Sequence, residues 1–259
     1  MLEYAFSYNN LEYLLLILIR VTCFVYTAPF FSMSNTPRRV RVGLSVFITI
    51  LLYQAVPHIE LEYDSLLGYL IIVMKEAVTG LLIGFAANLC STVVSFAGHI
   101  ADMEMGLSMA NLMDPTTKES STISGVYYNY MVLLMLMISG MHQYLLKALA
   151  ETYTLIPVNG AVLKSDKLMA AMTEFMSNYI IIGFRICLPI FAAMIILNAV
   201  LGILAKVSPQ LNMFAVGIQM KLLVGLSVLF LSTAMLPGAG NFIYTQMKHA
   251  VVSFVETML

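Results

Sequence analysis

The stretch LLGYLIIVMKEAVTGLLIGFAANLCSTVVSFA, residues 66–97, decides the fold. Its only charged residues are the adjacent Lys75 and Glu76, and the run 77–101 carries no Asp, Glu, Lys or Arg. A helix needs about 20 mostly apolar residues to cross about 30 Å of hydrocarbon, so this run is long enough to span a membrane. Working outward, further charge-free gaps occupy 21–37, 42–59, 120–146, 186–205 and 222–247. The gaps predict about six membrane helices, the first over 11–31, with others over 178–205 and 211–235. Composition agrees: the 259 residues are 60% hydrophobic and 10% charged, against about 45–50% and 25% in an ordinary soluble domain. Mean hydropathy is +0.89. A net charge of −1 gives no field for nucleic acid, and three Cys make no disulfide framework. The fold class predicted is all-α: a polytopic integral membrane protein of about six long hydrophobic helices arranged as kinked hairpins, forming one domain over 1–259.

Several of these helices carry ionisable groups at depth: Arg20, Lys75, Glu76, Arg185 and Lys221. Each costs about 2.5–3.5 kcal/mol in lipid on insertion scales, so each should face protein, another charge or water. Neighbours on a helix lie about 100° apart, so Lys75 and Glu76 are placed to meet two different surfaces. Contacts with other subunits are the expected use of these charges. Gly80 and Gly84 form a close-approach G-x-x-x-G surface, and Pro189 should kink the fifth helix.

The connections are uneven. Arg38, Arg39 and Arg41 make the first one basic and therefore cytoplasmic, but Lys147, Lys164 and Lys167 then fall on the wrong side of a simple weave. Between Asp102 and Glu119, Met103, Met105, Met109 and Met113 alternate with acids, while Gly106, Asn111 and Asp114-Pro115 break any continuous helix. Methionine is unbranched and polarizable, so a loop lined with it can repack as a seal; a short amphipathic surface helix is the alternative. After the Pro157-Val-Asn-Gly160 turn, Leu168, Met172, Phe175 and Met176 extend the fifth helix towards its amino end. Past Pro237-Gly-Ala-Gly240, the stripe Ile243, Met247, Ala250, Val251, Phe254 and Met258 predicts an amphipathic C-terminal helix lying on a partner or the membrane surface. The amino end shows no basic region before its apolar run, so a cleaved signal peptide is not expected.

Catalytic patterns are missing from the sequence. The four His are far apart, no Cys pair has zinc spacing, and neither a phosphate-binding loop nor a G-x-S-x-G occurs. His99 and Asp102 could share a metal, but a solvated helix end explains them as well. An enzyme is the weakest reading, with no cofactor and no metal expected. A transporter acting alone should show paired halves with matching broken helices, and none is visible. A subunit of a larger assembly fits better.

Three ordered blocks resemble the FliR family of flagellar export-gate proteins, whose injectisome relatives are called SctT. The first is Pro29, Pro37-Arg38-Arg39-Val40-Arg41 and Pro57. The second is Gly98, Asp102, Met105-Gly106 and Asp114-Pro115. The third and most specific is Asn198, Leu201-Gly202, Lys206, Pro209-Gln210-Leu211-Asn212, Phe214 and Gly217. In this last block Lys206 and Pro209 should end one helix, Asn212 cap the next and Gly217 permit close packing. The resemblance implies one such chain packed with FliP and FliQ around a secretion channel in the bacterial inner membrane, at the flagellar basal body. It also implies contacts with FlhB and FlhA at the cytoplasmic base, with unfolded export substrates passing through. Much of the family's helical assembly is raised out of the bilayer plane, which would explain the failed weave. The family's second block forms a plug in the channel, carried over here to residues 105–121, with Met105, Met109 and Met113 as sealing side chains. Glu104 departs from the uncharged polar residue more usual there.

Overall fold

The structure is a computed structural model that describes residues 8–33, 35–56, 63, 65–109, 111–113, 120–162, 164–208, 210 and 212–259. Among them are eight α-helices: α1 (Tyr8–Thr27), α2 (Arg38–Ala55), α3 (Leu66–Met105), α4 (Ile123–Ile138), α5 (Met141–Leu155), α6 (Ser165–Val207), α7 (Met213–Ser232) and α8 (Leu236–Glu256). Two three-residue strands, β1 (Asn111–Met113) and β2 (Ser120–Thr122), pair antiparallel between α3 and α4. The protein is an all-α, multi-pass membrane protein.

Local chemistry sets the boundaries. Pro37 occupies the N-cap of α2, where its missing N–H costs nothing. Ser65 Oγ accepts from Gly68 N–H at 3.3 Å as α3 begins. Gly106, at φ 80°, takes the left-handed turn that ends this 40-residue helix. Asn212 caps α7 by accepting from Ala215 N–H at 3.4 Å, as its place in the sequence predicts. The helix α6 begins at Ser165 and includes the stripe from Leu168 onward, with Pro189 inside it.

Among the described residues, four helices are long and apolar enough to cross a membrane, or up to five if α4 and α5 count as one bent span. The charge gaps predict about six, and two gaps account for the difference from four. The gap 120–146 holds two helices, divided at Ser139 and Gly140, the latter at φ 74°. The gap 42–59 belongs to α2, which opens on three arginines and buries Ser45 and Thr49. The gap 222–247 does hold a spanning helix, the end of α7, and runs on into the start of α8.

The chain divides into two compact units, one built from 1–89, 140–175 and 246–259, the other from 90–139 and 176–245. In the first, α1 buries Tyr13, Leu16, Ile17, Arg20, Val21, Phe24 and Val25, and Ala28 just past its end continues the face. That spacing is one face of a 3.6-residue helix. Gly80 and Gly84 let α3 press against it: a Cβ at Gly80 would collide with the Arg20 carbonyl, and one at Gly84 with the Thr27 hydroxyl. In the same unit the C-terminal stripe Met247, Ala250, Val251, Phe254 and Met258 is buried within the chain itself, where its pattern predicts a partner or the membrane surface as the cover. Phe254 meets Phe175 edge-on at 6.3 Å, and the Met258 carbonyl accepts from Val162 N–H at 3.0 Å.

Candidate functional site

The second sequence block builds the root of a hairpin in the second unit. Gly98, near the end of α3, lies so close to the first turn of α4 that a Cβ would collide with the Gly125 backbone. This approach brings the Asp102 carboxylate to the amino end of α4. Its Oδ2 accepts from Ser124 N–H at 2.7 Å and its Oδ1 from the Ser124 hydroxyl at 2.6 Å, with both residues buried. A helix amino terminus carries partial positive charge and free N–H groups, so an anion there is doubly favoured. Thr122 adds a neutral cap, its Oγ1 accepting from Gly125 N–H at 3.4 Å. One turn past Asp102, Met105 is fully buried; Gly225 leaves room for its thioether, and Met194 packs on the same glycine.

Beyond Gly106 the chain makes one 3-10 turn, Leu107–Met109, and enters the ladder in which Asn111, Leu112 and Met113 face Thr122, Ser121 and Ser120. The backbone here is a hairpin, not a surface helix. Both of its ends are fixed, by Met105 on one side and by Asp102 holding Ser124 on the other. Met109, Asn111 and Met113 are described as backbone only, and Asp114 and Pro115 lie outside the described residues. Of the flanking residues, Met103 is exposed and Glu104 half-buried.

The third block sits on the hairpin of α6 and α7. Asn198, Gly202, Lys206, Gln210 and Asn212 are exposed. A Cβ at Gly202 would meet nothing within 4 Å, and one at Gly217 only the tip of Leu201 at 3.8 Å. The close packing that these glycines permit is therefore not made inside the described chain. Pro209 lies outside the described residues, as does the Phe214 side chain.

The charges divide by use. Arg20 and Glu76 are fully buried and bonded to each other, Nε to Oε2 at 2.6 Å and Nη2 to Oε1 at 3.0 Å. The same guanidinium donates to the Ile156 carbonyl at 3.0 Å and lies 4.3 Å over the Tyr153 ring. Glu76 Oε1 also accepts from Asn159 N–H at 2.9 Å, and Lys75 reaches the Asn159 side chain at 3.4 Å. This cluster fixes the 157–160 turn, where Asn159 adopts φ 68°. Lys75 and Glu76 thus converge on one residue, Asn159, within their own chain, with Glu76 alone also holding Arg20. Arg185, by contrast, is exposed beside Phe242, and Lys221 is half-buried.

Sequence reasoning did not find Ser124, Gly125 or Gly225. The run Thr122-Ile-Ser-Gly125 before an apolar helix is a capping signal that could have pointed to the first two. Among the described residues no group of three or more His, Cys, Asp or Glu is placed to hold a metal. His99 Nδ1 bonds the Ser95 carbonyl at 2.7 Å, while Asp102 is engaged at Ser124.

Comparison with known proteins adds the remaining finding. The model of a family described as bacterial export proteins, family 1, matches residues 11–247. The chain is 29% identical to the flagellar biosynthetic protein FliR of Bacillus subtilis over 249 residues, covering 94% of this chain and 92% of the relative. It is also 29% identical to the protein of that name from Escherichia coli over 212 residues, 82% of this chain and 80% of the relative. A Buchnera aphidicola FliR, from the Acyrthosiphon pisum symbiont, is 27% identical over 238 residues, 89% and 92% of the two chains.

Proposed function

The chain belongs to the bacterial export proteins, family 1, and from that premise we propose that it is the FliR-type subunit of the flagellar type III export gate in the bacterial inner membrane. It is an export component and not an enzyme. In this reading it packs with FliP and FliQ around the secretion channel and meets FlhB and FlhA at the cytoplasmic base. Unfolded flagellar substrates pass through, driven by energy supplied elsewhere.

One observation carries the reading: five residues of the third block, Asn198, Gly202, Lys206, Gln210 and Asn212, are polar or glycine and exposed on a hairpin whose surroundings are apolar. Asn198, Lys206, Gln210 and Asn212 on such a surface, with Gly202 open beside them, call for a protein partner that can bond the polar groups and approach the glycine closely. Lys221, half-buried on α7, is assigned to the same contacts. The hairpin rooted at Met105 and Ser124 supplies the gate. Met105 anchors it in the subunit, and Met109 and Met113, farther out along the loop, contribute the pliable apolar seal. The names of the relatives favour flagellar use over an injectisome SctT role.

The test is to purify the chain from its native membrane and count the subunits that accompany it. FliP and FliQ should copurify, and a chain carrying a small solute as an isolated monomer overturns the assignment in favour of a stand-alone transporter. Replacing residues 107–121 by a Gly/Ser linker should raise ion leakage through the reconstituted complex without disassembling it. An unchanged leak with the complex intact removes the gate from the hairpin.

A further inference from the structure

Met105, the last residue of α3, is fully buried, and its side chain lies against α7 at Gly225. A Cβ at Gly225 would collide with the Met105 sulfur and stand 2.5 Å from its Cγ, while the methyl of Met194, on α6, is 3.2 Å from the same point. Glycine inside a helix is destabilising relative to alanine, yet Gly225 stands midway along α7 in the otherwise bulky run Leu222-Leu-Val-Gly-Leu226. Its missing side chain leaves a hole in α7. The Met105 thioether fills that hole, and the fully buried Met194 closes its side.

The two arms of the β1–β2 hairpin are therefore held by different means. The returning arm runs into Ser124, which the Asp102 carboxylate holds through two hydrogen bonds. The outgoing arm starts at Gly106, whose φ of 80° sets the turn and where a Cβ would meet nothing within 4 Å, so the backbone has room to swing. Its hold, one residue earlier, is the packing of an unbranched thioether, which can leave its hole without stranding a polar group. The hole itself sits on a helix with few ties to the chain, since only 6% of the apolar window of α7 is buried. About 20 Å along that helix from Gly225 lies Asn212, in the block assigned above to partner contacts. We propose that the hole at Gly225 is the latch of the gate: seated there, Met105 fixes the outgoing arm, and a shift of α7 against α3 unseats it and lets the arm turn about Gly106. Gly225 and Met194 are positioning residues that act through Met105. The latch rests on the reading of the hairpin as the gate and adds what holds it shut. A partner at the third block releases it by binding the shifted α6–α7 hairpin better than the resting one.

Two variants of the full-length chain, assembled with the subunits that accompany it, test the latch. Because the Met105 Cγ is 2.5 Å from a Cβ at Gly225, the two Cβ atoms lie within about 4 Å, the reach of a disulfide. With Cys23, Cys90 and Cys187 replaced by alanine, the pair Met105→Cys/Gly225→Cys should oxidise readily. Secretion of flagellar substrates by cells carrying it should stop while the bond is intact and return on reduction, with either single cysteine unaffected by the same treatment. Wild-type secretion with the bond formed overturns the proposal, and so does failure of the pair to oxidise, because Met105 then does not seat at Gly225. In the second variant, Gly225→Leu, the hole is filled and Met105 is expelled, so ion leakage through the reconstituted complex should rise severalfold; an unchanged leak with the complex intact overturns the latch. If leucine at 225 prevents assembly, the cysteine pair decides alone. The linker replacing residues 107–121 separates this proposal from the reading beneath it. A leak with the linker but none with Gly225→Leu removes the latch and keeps the gate, whereas no leak with the linker removes both.

Discussion

Arg20 and Glu76 show how a charged pair can be kept inside an apolar protein. All three guanidinium nitrogens and both carboxylate oxygens have partners, and two of those partners are main-chain groups of the 156–159 segment. Removing one member leaves a buried charge with no counter-ion, which costs about 3–5 kcal/mol. Glu76→Leu and Arg20→Met should therefore each lower the melting temperature of the detergent-purified chain severely. The double variant Arg20→Met/Glu76→Leu should be less destabilised than the sum of the two, since no orphan charge remains. Additive losses would show that the pair contributes no coupling. Lys75, reaching Asn159 from a half-buried position, should tolerate Lys75→Gln with little change on the same assay.

At the scale of elements, the Asp102 contact is a joint between the end of α3 and the start of α4. Asp102→Ala deletes both acceptors and strands a buried Ser124 N–H, at a cost of about 2–3 kcal/mol. Hydrogen exchange at residues 123–126 should speed up, and the reconstituted complex should leak more ions. Asp102→Asn, which keeps one acceptor, should fall between. Exchange at wild-type rates in the alanine variant would remove the joint from the gate. Much of this layer is legible in the sequence, because it follows from local pattern. The α8 stripe, the extension of α6 and the Asn212 cap are all set by residues a few positions apart. The joint itself is not, since Asp102 and Ser124 are 22 residues apart and neither one's pattern specifies the other. The same holds for Arg20 and Glu76. The break between α4 and α5 was also hidden: charge counting sees only that 120–146 is apolar, whereas the division depends on Gly140 taking a left-handed conformation.

Over the whole molecule, the apolar content that marks a membrane protein is unevenly buried. The spanning window of α3 is 50% buried in the chain, that of α6 33% and that of α7 only 6%. The helices α6 and α7 thus offer most of their surface outward, and the proposed partners around the third block take part of it. Gly202→Leu has space on the chain itself, so it should leave the melting temperature of the isolated chain unchanged while reducing copurification of FliP or FliQ. Intact assembly with leucine at that position would move the interface elsewhere. The buried pair of α1 and α3 also imposes an order in time. Arg20 leaves the ribosome 56 residues ahead of Glu76, a delay of about 3–11 s at about 5–20 residues per second. Through that interval α1 holds an uncompensated arginine, and the carbonyl of Ile156 that completes its shell is made later still. The first helix should therefore stay beside the insertion machinery, unreleased into lipid, until α3 arrives. Arrested nascent chains should cross-link from α1 to the translocon when they end before residue 76, and lose that cross-link once Glu76 has entered the membrane.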